Sequence, residues 1–129
     1  MGEMKLHNYQ QRIVDFCLNN SNIILAVGMG LGKTASVIHY LSVSKPSTCI
    51  IVAPKRVAET VWKQEAKKWG LYDVHNKMVI VAGTPTTRKN QLFDTNHPYK
   101  IISRDNIKDI VNYSCEVLIL DELTSFKNH

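Results

Sequence analysis

Cysteine is scarce. The three in the chain, Cys17, Cys49 and Cys115, lie far apart and in no CxxC or Cys/His grouping, so neither a disulfide framework nor a zinc site is indicated. Buried thiols are the expectation. Long hydrophobic runs are also lacking. The longest is a handful of residues such as IIVA at 50–53, far below the about 20 that a membrane helix needs, and the N-terminus carries no apolar signal region. A soluble, cytoplasmic protein without a membrane segment is expected. The five histidines, His7, His39, His75, His97 and His129, show no metal-ligand spacing. With only four prolines, 44% hydrophobic residues and no repeat, low-complexity tract or flexible linker, the 129 residues suit one compact domain and are too few for two. Acidic residues are outnumbered, 11 to 16, which gives a net charge of +5. That balance is compatible with a polyanionic partner but does not require one.

Short apolar runs alternate with segments of helical spacing. Residues 22–27, 48–53, 78–82, 100–103 and 116–120 are β-branched and nearly continuous, the pattern of strands buried on both faces of a parallel sheet. Helical spacing is found over 9–18, 34–41, 57–69, 86–93 and 105–111. This alternation predicts an α/β layered fold with a mainly parallel sheet of about five strands and right-handed crossovers.

The first strand, NIILAV, runs into three closely spaced glycines, Gly28, Gly30 and Gly32, and then Lys33, Thr34 and a helix. Such a turn aims several backbone N–H groups at one point, where the helix N-terminus adds partial positive charge. A phosphate is the natural guest. Gly32, Lys33 and Thr34 fit the end of the GxxxxGK[ST] pattern, whereas Val27 stands where its first glycine belongs. Lys33 would reach the β- and γ-phosphate oxygens, the Thr34 hydroxyl would ligate Mg²⁺, and the backbone from Gly28 through Met29, Gly30, Leu31 and Gly32 to Ala35 would line the nucleotide. A glycine-rich loop that binds nothing is the alternative.

The strand-like VLIL at 117–120 leads into Asp121 and Glu122, paired acids at the carboxyl end of a strand, where open α/β sheets bind ligands. One carboxylate can hold the metal shell while its neighbour accepts a proton from the attacking water. Capping of a following helix is the plainer alternative.

With both elements present, the chain resembles the superfamily 2 helicases, most closely their Swi/Snf-like branch. GMGLGKT at 28–34 is similar to that branch's nucleotide-binding motif, and DELTSFKN at 121–128 looks like its motif II. Thr124 departs, standing where DEAH-type proteins have histidine. This form is more similar to a bacteriophage Swi/Snf-like helicase than to a chromatin remodeller. The resemblance implies a RecA-like P-loop fold, ATP and Mg²⁺ as cofactors, and a nucleic acid, DNA in preference to RNA, as partner. LHNYQQRIVDF at 6–16 resembles the family's adenine-recognising segment and maps Gln10 onto the amide that pairs with adenine. Tyr9 either packs in the core or stacks near the nucleotide.

IIVAPKRVAETVWKQEAKKWG at 50–70 resembles motif Ia with its helix, placing Pro54, Lys55 and Arg56 where track phosphates are held; a solvated loop is the alternative. Trp62 and Trp69 share a helical face with Val57 and Val61, so both are expected in the core, with Lys63, Lys67 and Lys68 on the wet side. IISRDNIKDI at 101–110 is similar to motif Ib, where Ser103 either contacts a phosphate or caps the next helix. Arg88, Lys89 and Arg104 are lesser candidates for the track.

The resemblance further implies that 1–129 is part of an N-terminal RecA-like lobe, since motif III, a second lobe and its arginine finger have no counterpart in these residues. The expectation is the ATP-binding lobe of a nucleic-acid-dependent ATPase, a helicase or translocase, with little turnover alone. A binding module that engages nucleotide or nucleic acid without turnover is the alternative.

Overall fold

The computed structural model describes residues 23–27, 31–110 and 113–121, with side chains over 34–110 and 113–121. The segment expected to be helical over 9–18, with Tyr9 and Gln10, lies outside the described residues, as do Gly28, Met29, Gly30, Glu122 and Thr124.

Among the described residues, five strands, β1 (Ile23–Val27), β2 (Cys49–Ala53), β3 (Met78–Val81), β4 (Tyr99–Ser103) and β5 (Val117–Asp121), form one sheet in the order β1-β5-β2-β4-β3. Every pairing is parallel. β2, β4 and β5 are buried along their whole length, which is why their sequences do not alternate: helices cover both faces. On one face α1 (Leu31–Ser44), α2 (Lys55–Lys68) and α3 (Tyr72–Lys77) contribute Ile38, Leu41, Trp62, Ala66 and Val74 to a core with Ile51, Ile101 and Ile119. On the other face Leu92 of α4 (Pro85–Leu92) and Ile107 and Ile110 of a 3₁₀ segment (Arg104–Ile110) pack with Ile50, Val52, Ile102 and Leu118. This is the layered α/β arrangement that the alternation predicts, and it is consistent with the RecA-like fold that the resemblance implies.

Two elements differ from their expected form. The segment after Ser103 is a 3₁₀ helix with non-helical φ/ψ at Asn106, not an α-helix. The short α3 has no counterpart in the sequence pattern; only Val74 of its six residues is buried, too little to give a period. Its start follows from the end of α2. Gly70 takes φ +72°, its N–H donating to the Lys67 carbonyl while Leu71 N–H donates to that of Ala66. That left-handed cap terminates α2 and turns the chain into α3.

Cys49 and Cys115 are buried and in no disulfide, as expected of structural thiols; Cys17 lies outside the described residues. Burial pushes the Cys49 thiol well above its ordinary range, and nearby Cys115 adds to the shift. Among the described residues, no helix is long and apolar enough to cross a membrane.

Candidate functional site

Parallel pairing sends the carboxyl ends of all five strands to the same edge of the sheet, and β5 sits between β1 and β2. The register pairs Val27, the last residue of β1, with Asp121, the last of β5. β1 therefore ends directly beside the Asp121 backbone. Three residues later α1 begins at Leu31, so Leu31, Gly32, Lys33 and Thr34 form its first turn. Their N–H groups have no partner within the helix, and no acidic residue in that turn offsets the positive helix end. A polyanion is favoured there for both reasons.

Thr34 is 4% exposed and Asp121 is 3% exposed. A hydroxyl and a carboxylate are hard oxygen donors of the kind Mg²⁺ takes, so these two side chains fit that ion. Ala35, next along α1, is half-buried. Asp121 is held from the side: the indole Nε1–H of Trp62 on α2 donates to Asp121 Oδ2 at 2.8 Å. Sequence periodicity places Trp62 in the core, where it is fully buried, but gives no sign of this bond.

The ends of β2 and β4 form the adjoining part of the edge. Ala53 pairs with Ser103, so Pro54–Lys55–Arg56 and Ser103–Arg104 leave the sheet side by side. Lys55 and Arg56 are exposed, and they open α2, whose first turn contains no acidic residue and whose Pro54 makes no side-chain cap. A phosphate there would meet two cations and uncapped backbone N–H groups. Ser103 is different. It is 3% exposed and its Oγ accepts the Asp105 N–H at 3.1 Å, the capping geometry. Arg104 is half-buried and Lys89 is exposed. The Arg88 guanidinium is tied down by Asp109 Oδ2 and the Gly83 carbonyl, both at 2.6 Å.

Two expectations for α2 are corrected. Trp69 is not in the core; it is 51% exposed. The buried stripe of α2 steps by four through Ala58, Trp62 and Ala66, and the helix ends at Lys68 before another turn can reach the sheet. Trp69 becomes the C-cap, edge-on to His39 at 5.6 Å, with its indole N–H on Glu65. Lys63 does not simply face solvent: half-buried, it donates to the Met78 carbonyl at 3.2 Å, whereas Lys67 and Lys68 are exposed.

Residues 9–129 match the family described as SNF2-related domain. The chain is also similar to a putative protein, p41, of Acyrthosiphon pisum secondary endosymbiont phage 1, with 30% identity over 131 residues. That alignment takes in 93% of this chain and 28% of the phage protein, so the chain spans little more than a quarter of its relative's length. A parallel sheet that ends β1 beside the acidic end of β5 agrees with a match covering nearly every residue: the chain belongs to the SNF2-related domains, a family of helicase-like ATPases.

Proposed function

We propose that this chain is the ATP-binding lobe of a nucleic-acid-dependent helicase or DNA translocase, with ATP and Mg²⁺ held at the ends of β1 and β5 and the track at the ends of β2 and β4. The observation that carries the proposal is the Val27–Asp121 pairing, which puts the strand end that precedes GMGLGKT beside the one at which DELTSFKN begins. The N-terminal turn of α1 and Lys33 would hold the β- and γ-phosphates, with Gln10 on the adenine. Thr34 and Asp121 would hold the metal, whose charge, once bound, offsets that developing on the phosphates. Glu122 would take the proton of the attacking water. Lys55, Arg56 and the start of α2 would hold track phosphates without regard to base sequence. Such a motor would work in the cytoplasm, the host's if this chain, like its relative, is a phage product, and a second RecA-like lobe would complete its catalytic site.

Nucleotide binding is tested by linkage. A ligand at 100 times its Kd stabilises the folded state by about 2.7 kcal/mol, so saturating Mg²⁺–ADP should raise Tm by several degrees. Lys33→Ala should lose most of that rise and keep the ligand-free Tm. A folded wild-type chain with no response by calorimetry or thermal melting would count against the lobe.

Track binding should be weak and salt-sensitive. Each neutralised phosphate contributes about −0.7 to −0.9 to the slope of log K against log salt, so two or three contacts give a slope near −2. Replacing Lys55 and Arg56 together by alanine should flatten the slope by roughly 1.5 units and weaken all sequences alike. Fluorescence anisotropy that finds the slope unchanged would remove this edge from the interface.

A further inference from the structure

Trp62 fills the core between α2 and the sheet with no exposed surface, yet its polar atom is directed at the carboxyl end of β5. A residue needed only for volume there could be wholly apolar; an indole brings an N–H that must find a partner once buried. Its partner is Asp121 Oδ2, 59 residues away in sequence. The chemistry of this pair is specific. A carboxylate can turn about two bonds and offers two oxygens, each with two acceptor positions. A donor on Oδ2 restrains the rotation of the group about its Cβ–Cγ bond. Because the indole N–H is neutral and does not ionise, it orients the carboxylate without cancelling its charge, which a lysine or arginine in its place would do. The ring is fully buried, in the core cluster that includes Ala53, Ala58, Ile101 and Ile119, which restrains the donor.

We propose that Trp62 is a positioning residue for a divalent cation at Asp121, an inference that rests on the nucleotide-lobe assignment above. Its bond to Oδ2 sets the orientation in which the carboxylate is presented to the metal. Partners that orient a metal-binding carboxylate commonly change metal affinity by about 10- to 100-fold when removed.

The test uses the full 129-residue chain. Trp62→Phe keeps a buried aromatic ring and deletes the donor. Mg²⁺ titrated into ADP-saturated protein and followed by calorimetry should bind at least about 10-fold more weakly to the variant than to wild type. ADP affinity in EDTA should be the same for both. A purely structural role would instead lower Tm and leave the ratio of metal-loaded to metal-free affinity unchanged, and that outcome overturns the proposal. Should Trp62→Phe fail to fold, the indole ¹H–¹⁵N resonance of Trp62 in the folded chain decides, assigned with Trp69→Phe. It should shift when Mg²⁺ is added to the ADP complex, with the exposed Trp69 resonance as internal control. A Trp62 resonance that Mg²⁺ leaves in place overturns the proposal. A wild-type chain that binds ADP with no dependence on Mg²⁺ overturns the metal site, and one that binds no nucleotide overturns the lobe assignment itself.

Discussion

The 129-residue chain on its own is expected to bind ATP and to hydrolyse it at a rate hardly above background. Phosphoryl transfer draws most of its acceleration from charge positioned around the transition state, and an arginine finger alone is worth about 10³- to 10⁵-fold. On the proposed reading, Lys33 and the α1 N-terminus would hold the ground state, and Asp121 and Glu122 would serve metal and base. The cation on the far side of the γ-phosphate would come from the second lobe. Supplying that lobe in cis should restore hydrolysis stimulated by nucleic acid by a factor of that order. Glu122→Gln in the two-lobed protein should abolish turnover and retain ATP, since the proton acceptor is lost while Thr34 and Asp121 remain. A monomeric 129-residue chain that turned over ATP at about one per second or faster, a rate typical of complete enzymes, would refute the incomplete-site proposal. A rate climbing steeply with protein concentration would show a second copy completing the site.

Lys100→Met should be the most damaging single change away from the site. Lys100 is in β4 with no exposed surface, and its Nζ donates to the carbonyls of Gln91 at 2.7 Å and Asp94 at 2.5 Å. Gln91 is in the last turn of α4, where carbonyls have no partner within the helix and a cation is favoured. Methionine keeps the length of the stem and removes all three donors. Two bonds from a charged donor are worth about 1.5–3 kcal/mol each, offset in part by the cost of burying the ammonium, so a net loss of about 3 kcal/mol is expected. For a domain of this size that lowers Tm by roughly 10–20 °C, measurable by circular dichroism. The loss should depend on pH. Burial lowers the Lys100 pKa despite the opposing attraction of Asp94, so from that lowered value up to 10.5 the unfolded chain holds more protons than the folded one. Stability from this group therefore rises with pH across that window, and the gap between wild type and Lys100→Met should widen there. A change below about 1 kcal/mol would mean that desolvation of the ammonium offsets both of its bonds.

Much of the architecture was legible in the sequence because it is written in local terms. Strands buried on both faces read as unbroken β-branched runs, and all five lie where those runs place them. Lys33 and Thr34 fall in the first turn of a helix, at the point where the apolar run has ended and helical spacing is about to begin. The acid at Asp121 ends its strand where VLIL ends.

Tertiary structure decided what depends on partners distant along the chain. The order β1-β5-β2-β4-β3, and with it the pairing of Val27 with Asp121, follows from how helices pack on the sheet's two faces, and no local period encodes it. The two tryptophans make the same point. Seven residues apart, they look equivalent on a helical wheel, but only Trp62 lies over the sheet; the chain turns at Gly70 before Trp69 can be covered. Lys100 looks like an intruder in an apolar strand until α4 presents its carbonyls. Ser103 shows the same dependence in reverse, its hydroxyl engaged by the backbone two residues ahead. Sequence periodicity determined which residues leave water, because that depends on spacing along one element. Where their polar atoms find partners was fixed only by the packing of one element on another, since a buried donor must be satisfied by whatever group the fold brings within about 3 Å.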